Sequence, residues 1–267
     1  MLEGSFWYDL SVTFSILFWN IWFYNLIEGE PRAGRLLKEL RRLVEQHEPD
    51  LIALNEVVQS SQDGSVQVIE YLQKLGYTYT HCADPARFNA DWLGGAALCS
   101  RFKMSRTEDI VISKHGFAAK RGYPGLTKKA ISAQVTLPAG HDLKIIVAHP
   151  LALIDAPKDH RVAMDKLNRL VHSKEYSKNT ILVGDMNEWR LIPGAFSAKI
   201  TDVMHSRTGS ISHPTWRYNA HRFTPLRANL DYLYWSKDSD FTLKDFKVLV
   251  SDVSDHRPLL ATFELAQ

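Results

Sequence analysis

Short hydrophobic segments that each end in a polar or charged residue recur along this chain of 267 residues. Segments so short and so apolar are typical of buried strands rather than of amphipathic helices. They end at the following residues: Asn20, Glu56, His149, Asp185 with Asn187, and Asp255 with His256. Because the ends of strands in a packed sheet hold side chains rigidly, and ligands tend to bind there, this repetition predicts one shared site.

Helical patterns separate these segments. Leucines recur at helical spacing within residues 36–44, and residues 65–75 and 161–172 are also amphipathic. Further strands are predicted at residues 77–81, 96–100, 109–113, 130–137, 230–235, 247–250 and 258–263, with residues 202–216 irregular. The alternation of strands and helices predicts an α/β fold. Since no linker rich in Pro, Gly or Ser interrupts it, we interpret residues 1–267 as a single domain.

Composition narrows the class of protein. The net charge of +2 gives no general attraction to polyanions, so affinity for nucleic acid would require a local basic patch. Cys82 and Cys99 cannot form a disulfide framework and lack the spacing of a metal site. The apolar segment at residues 14–24 is too short to cross a bilayer and lacks the basic flank of a signal peptide, so we expect a cytoplasmic protein.

The residues at the strand ends suit the hydrolysis of a phosphate ester. That reaction requires charge on the phosphate oxygens to be neutralised, a water to be activated and the leaving oxygen to be stabilised. Carboxylates such as those of Glu56, Asp185 and Asp255 are ligands that Mg²⁺ prefers. Asp231 breaks an apolar strand, where an unpaired carboxylate would cost on the order of several kcal/mol. We therefore expect it to pair with His256, which would donate to a phosphoryl oxygen.

Each of these residues also has a structural interpretation when taken alone. Asn20 would then end a strand as a turn residue, and residues 184–187 would form a turn, because Gly, Asp and Asn favour turns. His149, which precedes Pro150, would be a buried structural histidine. A turn does not require a buried strand that ends in two polar side chains, so their combination favours function.

The order of these motifs resembles that of the endonuclease/exonuclease/phosphatase superfamily, from about residue 14 to residue 263. The matching motifs are Trp19-Asn20, Leu54-Asn55-Glu56-Val57, His149-Pro150, Gly184-Asp185-Met186-Asn187, Leu230-Asp231-Tyr232 and Ser254-Asp255-His256-Arg257-Pro258. This superfamily includes apurinic-site endonucleases, pancreatic-type deoxyribonuclease, neutral sphingomyelinases and inositol-polyphosphate phosphatases. The resemblance implies a four-layered α/β sandwich with two facing mixed β-sheets and outer helices, and a hydrolase that depends on Mg²⁺ or Mn²⁺.

The resemblance also implies a role for each matching residue. The metal-binding residues would be Glu56, Asn20 and Asp255. The catalytic residues would be His149 near the leaving group, Asp185 at the attacking water, Asn187 at the phosphate, and Asp231 orienting His256. Whether Asp185 or His256 takes the proton of the water stays open. Trp22 stands where some relatives have an acidic residue, which weakens the similarity to abasic-site endonucleases, and Asn55 stands where Gln is usual.

Two basic segments bear on the substrate. Residues 114–129 combine basic and aromatic side chains, which suits a phosphodiester strand, although a solvated loop is the alternative. Residues 217–227 lead into Asp231, and we interpret Arg222 there as substrate-binding. Trp189, and also Trp216, would stack on a base or sugar or else lie in the core. These features favour a nuclease that acts on DNA or RNA. The alternatives are a phosphoesterase of phospholipid head groups or of inositol and other small phosphates, and a catalytically silent binding domain. No obligate protein partner is expected.

Overall fold

The computed structural model describes most of the chain. The described residues are 12–22, 30–60, 68–83, 86–89, 92–114, 127–152, 157–188, 208–211, 215–218 and 226–266. Within these ranges the protein forms two β-sheets, a two-stranded ribbon and three α-helices. None of the helices described is both long enough and apolar enough to cross a lipid bilayer.

The first sheet contains seven strands. They are β1 (Thr13–Asn20), β2 (Leu51–Ser60), β3 (Tyr79–Cys82), β4 (Ala86–Asn89), β5 (Trp92–Ser100), β14 (Phe241–Val248) and β15 (Leu259–Leu265). Their order is β14-β15-β1-β2-β5-β3, with β4 beside β5. β1 and β2 run parallel, while β15 is antiparallel to β1 and β5 is antiparallel to β2. The sheet is therefore mixed.

The second sheet contains six strands. They are β6 (Met104–Lys114), β7 (Thr127–Thr136), β8 (Asp142–Ala148), β9 (Thr180–Asp185), β10 (Thr208–Ile211) and β13 (Asp231–Ser236). Their order is β10-β13-β9-β8-β7-β6, with β8 and β9 parallel and β13 antiparallel to β9. The strands β11 (Trp216–Tyr218) and β12 (Leu226–Ala228) pair with each other as the separate ribbon.

Helical connections produce the two parallel pairs. The helix α1 (Glu30–His47) links β1 to β2, the helix α2 (Val68–Lys74) follows β2, and α3 (Pro157–His172) links β8 to β9. Parallel neighbours require such a crossover, because a tight hairpin joins only antiparallel strands. As a result, each parallel pair carries its two carboxyl ends to one edge of its sheet.

Three apolar clusters divide the protein into layers. The first lies between the sheets and includes Phe18 of β1 and Val183 of β9. The second packs α1 and α2 against the first sheet, for example through Leu40. The third packs α3 against the second sheet, for example through Leu167. This order of helix, sheet, sheet and helix confirms the predicted four-layered α/β sandwich.

Two sequence-based expectations were wrong in detail. The second strand does not end at Asn55 and Glu56, because pairing with β5 resumes at Val57 after a break in register. Residues 202–216 were expected to be irregular, yet Thr208–Ile211 forms the edge strand β10. Pairing with β13 outweighs the low strand propensity of its Gly and Ser.

Candidate active site

The predicted residues converge where the carboxyl ends of the parallel strands meet. Asn20 ends β1, Asp185 ends β9, and His149 directly follows β8. Asp231 begins β13 opposite Asp185, with which it pairs across the two antiparallel strands. His256 lies just before β15 and therefore arrives at the same edge.

A bulge in β2 presents Glu56 to this edge. The register with β5 shifts between Leu54 and Val57, and the backbone of Glu56 adopts a left-handed conformation with φ of 60°. Such a φ is uncommon for a residue other than glycine and is often found at functional sites. It leaves the Glu56 side chain half-buried at the end of the sandwich.

Asn20 links the two carboxylates of the site. Its side-chain nitrogen donates to Oε1 of Glu56 at 3.1 Å and to Oδ2 of Asp185 at 3.0 Å. Its side-chain oxygen accepts the backbone N–H of Trp22 at 3.0 Å, so the orientation of the amide is fixed. Because that oxygen serves the backbone, Asn20 presents its N–H groups, and not its oxygen, to the centre of the site.

His149 completes a group of metal-competent side chains. Its Nε2 lies 3.8 Å from Oε1 of Glu56 and 3.6 Å from Oδ2 of Asp185. One ligand atom from each of these three residues lies within 4.8 Å of the others. Burial, together with the positive charges of Lys128 and His256, holds the pKa of His149 well below its usual 6.5. His149 is therefore a neutral imidazole at physiological pH, which is the form that binds metals.

The chemistry of this donor set fits a divalent cation. Two carboxylates, from Glu56 and Asp185, share the donor Asn20 within a largely buried space. Two like charges this close repel each other, and a cation bound between them would offset that repulsion. Burial is the main cause that raises the pKa of Asp185 to about 7, and the nearby Asp231 carboxylate adds to it. Glu56, His149 and Asp185 are thus the residues that could hold a metal.

Asp231 and His256 form a buried pair. Nδ1 of His256 lies 2.8 Å from Oδ2 of Asp231, and its other nitrogen, Nε2, lies 3.7 Å from Oδ2 of Asp185. Burial disfavours the charged imidazolium, but the carboxylates of Asp231 and Asp185 outweigh it and raise the pKa of His256 to about 10. The imidazole is therefore cationic near neutral pH, oriented by one carboxylate and directed at another.

Gly184 and Asn187 shape the end of β9. A Cβ on Gly184 would lie 1.9 Å from the carbonyl oxygen of Ala148, so the close approach of β8 requires glycine at this position. Asn187 is left-handed, with φ of 52°, and its backbone N–H donates to Oδ1 of Asp185 at 2.9 Å. Its side-chain nitrogen donates to the carbonyl of Pro150 at 3.1 Å. The turn after β9 therefore supports Asp185 directly.

Asp255 lies beside the site with a different partner. Its Oδ2 accepts the indole N–H of Trp216 at 3.1 Å. Burial raises the pKa of Asp255, and its carboxylate is close enough to sense the charges of His256 and Glu56. Asp255 is absent from the groups of described residues whose ligand atoms lie within 4.8 Å of one another. The structure thus places it next to the group around Glu56 rather than within it.

Several residues that contact the site were not selected from the sequence. The hydroxyl of Thr215 donates a hydrogen bond to Asp231, and the ammonium of Lys128 interacts electrostatically with Glu56 and Asp185. Lys128 was grouped with the basic segment at residues 114–129, and Thr215 fell in a segment expected to be irregular.

Trp216, a candidate for base stacking, is 9% exposed and packs with Leu230. Trp189 and Arg222, the predicted substrate-binding residues, lie outside the described residues.

Comparison with known proteins agrees with this geometry. The model of the Endonuclease/Exonuclease/phosphatase family matches residues 17–256. UPF0294 protein VP2298 of Vibrio parahaemolyticus serotype O3:K6 (strain RIMD 2210633) is 25% identical over 150 residues, which cover 56% of this chain and 50% of that protein. The chain therefore matches about half the length of this curated relative.

Solved structures with low sequence identity share the fold. An endonuclease/exonuclease/phosphatase from Beutenbergia cavernae DSM 12333 superposes with a TM-score of 0.72 and 16% identity, covering 95% of this chain and 72% of that one. The human Nocturnin catalytic domain with bound sulfate anion superposes with a TM-score of 0.70 and 20% identity, covering 95% of this chain and 94% of that one. D. rerio TDP2 complexed with single strand DNA product superposes with a TM-score of 0.65 and 18% identity, covering 94% of this chain and 98% of that one.

Proposed function

This chain belongs to the endonuclease/exonuclease/phosphatase family, and we propose that it hydrolyses a phosphodiester of nucleic acid with the help of a divalent metal ion. The observation that carries the proposal is the position of Asp185. Its Oδ2 lies 3.6 Å from Nε2 of the neutral His149 and 3.7 Å from Nε2 of the cationic His256. The proposed metal site and the proposed proton-transferring pair would therefore share one carboxylate.

Glu56, Asp185 and His149 would hold the metal, for which we propose Mg²⁺ or Mn²⁺. Carboxylate oxygens are the preferred ligands of these hard cations. When bound, the ion would act as a Lewis acid toward the phosphate oxygens. Asn20 would align Glu56 with Asp185 through its two N–H bonds and would not itself be a ligand. We assign Asp255 to the rim of the site, where Trp216 holds it.

His256 and Asp185 have complementary proton affinities. The raised pKa of His256, about 10, keeps an N–H on Nε2 at neutral pH, which can donate to a non-bridging phosphate oxygen. The pKa of Asp185 is about 7 without a metal and would fall when a cation binds, so we propose that the ionised Asp185 accepts a hydrogen bond from the attacking water and orients it. His149 is neutral and has no additional proton to donate, so it would orient the substrate or bind the metal.

Asn187 and Lys128 would contact the phosphate. In the described part of the chain, Pro150 uses one N–H group of the Asn187 amide, which leaves the second for a phosphate oxygen. The Lys128 ammonium is near enough to Glu56 and Asp185 for their charges to favour its protonated form, although burial lowers its pKa overall. A cation at this position would attract an anionic ester.

A nucleic acid is the substrate that we favour among phosphate esters. The similar fold of D. rerio TDP2 holds a single strand DNA product, and that of human Nocturnin holds a sulfate anion. In this chain, the basic segment 114–129 includes Lys128, which lies near Glu56 and Asp185, and Arg222 stands between β11 and β12 in the sequence. Basic residues that lead along the chain to a cation near the site would suit a phosphodiester strand.

The test is hydrolysis of a panel of esters by the purified protein. Single-stranded DNA, single-stranded RNA, sphingomyelin and an inositol polyphosphate would each be incubated with Mg²⁺, with Mn²⁺ and with EDTA. We expect DNA or RNA to be cleaved, EDTA to abolish cleavage, and His256→Ala to lack it. The variant His172→Ala, at the end of α3, controls for the loss of a histidine. Cleavage of sphingomyelin or the inositol phosphate alone would favour those substrates, and no cleavage at all would favour a binding domain.

A further inference from the structure

Thr215 lies directly behind the Asp231–His256 pair. Its side chain is fully buried, and the residue immediately precedes β11. The hydroxyl of Thr215 donates to Oδ2 of Asp231, the same oxygen that lies 2.8 Å from Nδ1 of His256. The oxygen that orients the imidazole is therefore held from two sides.

The direction of this hydrogen bond follows from the other contacts of the hydroxyl. The Thr215 oxygen accepts the backbone N–H of Asp231 at 3.2 Å and that of Leu230 at 3.4 Å. A hydroxyl has two lone pairs and one hydrogen. Since both lone pairs face N–H donors, the hydrogen is left for the carboxylate of Asp231, which can only accept when ionised.

The backbone of Thr215 is hydrogen-bonded to residues that lie near both members of the pair in the sequence. Its N–H donates to the carbonyl of Ala228 at 3.0 Å, two residues before Leu230. Its carbonyl accepts the backbone N–H of Arg257 at 2.8 Å, directly after His256. One residue thus links the segment that leads into Asp231 to the segment that carries the imidazole.

The geometry points to Thr215 as a positioning residue of the proposed phosphoesterase, acting through Asp231 on His256. Oδ1 of Asp231 is buried without a hydrogen-bond partner among the described residues, so Oδ2 carries the contacts that fix the rotation of the carboxylate. With Thr215 in place, Oδ2 stays in line with Nδ1 of His256, and Nε2 keeps facing Asp185. The expected effect of Thr215 on catalysis rests on the proposed function, whereas its effect on the orientation of Asp231 and His256 does not.

The experiment compares Thr215→Val with Thr215→Ser. Valine keeps the shape of threonine and removes the donor, whereas serine keeps the hydroxyl. The matched control is Thr180→Val, because Thr180 is also buried and donates to a backbone carbonyl, but lies at the other end of β9 from Asp185. Two quantities would be measured: kcat and KM on the cleaved substrate, and the proton resonance of the His256 Nδ1–H group, which a fixed carboxylate protects from exchange with water.

We expect Thr215→Val to lower kcat roughly tenfold to a hundredfold with little change in KM, as is usual when a residue that orients a catalytic group is lost. The Nδ1–H resonance should broaden or vanish in Thr215→Val and persist in Thr215→Ser and Thr180→Val. An unchanged resonance in Thr215→Val would overturn the inference whatever the activity. If the wild type cleaves no ester, the proposed function fails, and the resonance still decides the role of Thr215. An equal loss of kcat in Thr180→Val would show a general effect of destabilisation and also count against it.

Discussion

The side-chain oxygen of Asn55 accepts the backbone N–H of Asp185 at 3.0 Å, and this hydrogen bond joins the two sheets at the active site. Asn55 belongs to the bulge of β2 and is fully buried. Glu56 follows Asn55 in the sequence, and Asp185 donates the hydrogen bond; these are the two carboxylates that would bind the metal. The distance between the two carboxylates therefore depends on the side-chain amide of Asn55.

Replacing Asn55 by leucine should destabilise the protein. The change leaves the buried N–H of Asp185 without an acceptor, which costs about 1–3 kcal/mol of unfolding free energy. Urea unfolding would measure the loss. Gln73→Leu is a suitable control, because Gln73 makes its hydrogen bond to Thr80 on the exposed surface. Equal unfolding midpoints for wild type and Asn55→Leu would show that the sheets are held together without this contact.

In the metal-free protein, Asp185 and His256 should each contribute less stability as the pH rises. Folding raises the pKa of the Asp185 carboxyl from 3.8 to about 7, mainly through burial, so the folded state binds its proton more tightly. This contribution is complete below pH 3.8 and is lost as the pH rises to about 7. The raised pKa of His256 acts in the same sense: its contribution is complete below pH 6.5 and is lost as the pH approaches 10.

Thermal unfolding in EDTA, measured between pH 4 and pH 10, would test this decline, and Asp185→Asn should flatten its acidic part. A metal that binds ionised carboxylates should raise the unfolding temperature more at pH 8 than at pH 5, because protons compete with it. A stabilisation by Mg²⁺ that does not vary with pH would contradict the assignment of Asp185 as a ligand.

Glu56 and Asp255 should differ in their effect on metal binding. Glu56→Gln removes a charged oxygen from the group that includes His149 and Asp185, so calorimetric titration with Mn²⁺ should show an affinity lower by roughly tenfold or more. Asp255→Asn should change the affinity less, since Asp255 is held by Trp216 outside that group. An equal loss of Mn²⁺ affinity in the two variants would indicate that Asp255 is a metal ligand, as the sequence predicts.

The basic residues near the site should separate into two classes. Lys129 pairs with Asp109 at 3.5 Å, whereas Lys128 interacts electrostatically with Glu56 and Asp185. We therefore expect Lys128→Met to lower kcat/KM for a phosphodiester by roughly tenfold, in the range of one preorganised electrostatic contact. Lys129→Met is the matched control and should have a small effect. Equal effects would indicate that the two lysines act only through their shared charge.

The dependence of binding on salt tests the choice of nucleic acid directly. A protein that neutralises several phosphates loses affinity steeply as salt is added. Neutralising four basic residues of the segment 114–129 together should reduce this slope. They are Lys120, Arg121, Lys128 and Lys129. A response that is flat with salt would favour a small phosphate ester as the substrate.

The sequence predicted the side chains at strand ends because hydrophobic pattern and polar chemistry coincide there. Asn20, His149 and Asp185 each follow an apolar run, so their convergence could be expected once parallel strands were assumed. The bulge that turns Glu56 inward depends on pairing between β2 and β5, and no local signal encodes its positive φ. Thr215 was missed for a similar reason, since its contact with Asp231 spans 16 positions and makes no pattern in the sequence.

The Asp231–His256 pair allows a test of cooperation between two side chains. Asp231 holds Nδ1 of His256 at 2.8 Å, which fixes the tautomer and supports the cationic form. His256→Ala should lower kcat by a factor of roughly 10² or more, the range for one general acid–base group or preorganised donor. Asp231→Asn should cost less, because the imidazole remains but is poorly oriented.

A variant that lacks both side chains shows whether Asp231 and His256 act together or independently. If Asp231 acts only through His256, removing both should lower kcat hardly more than removing His256 alone, since residues that act as one unit are not additive. The measurement is a double-mutant cycle on kcat in saturating metal, with calorimetric metal affinity and urea unfolding confirming that each variant still folds and binds the ion. Multiplication of the two single effects in the double variant would mean that Asp231 contributes independently of the imidazole. In that case, its contact with Nδ1 of His256 would be a matter of packing rather than of catalysis.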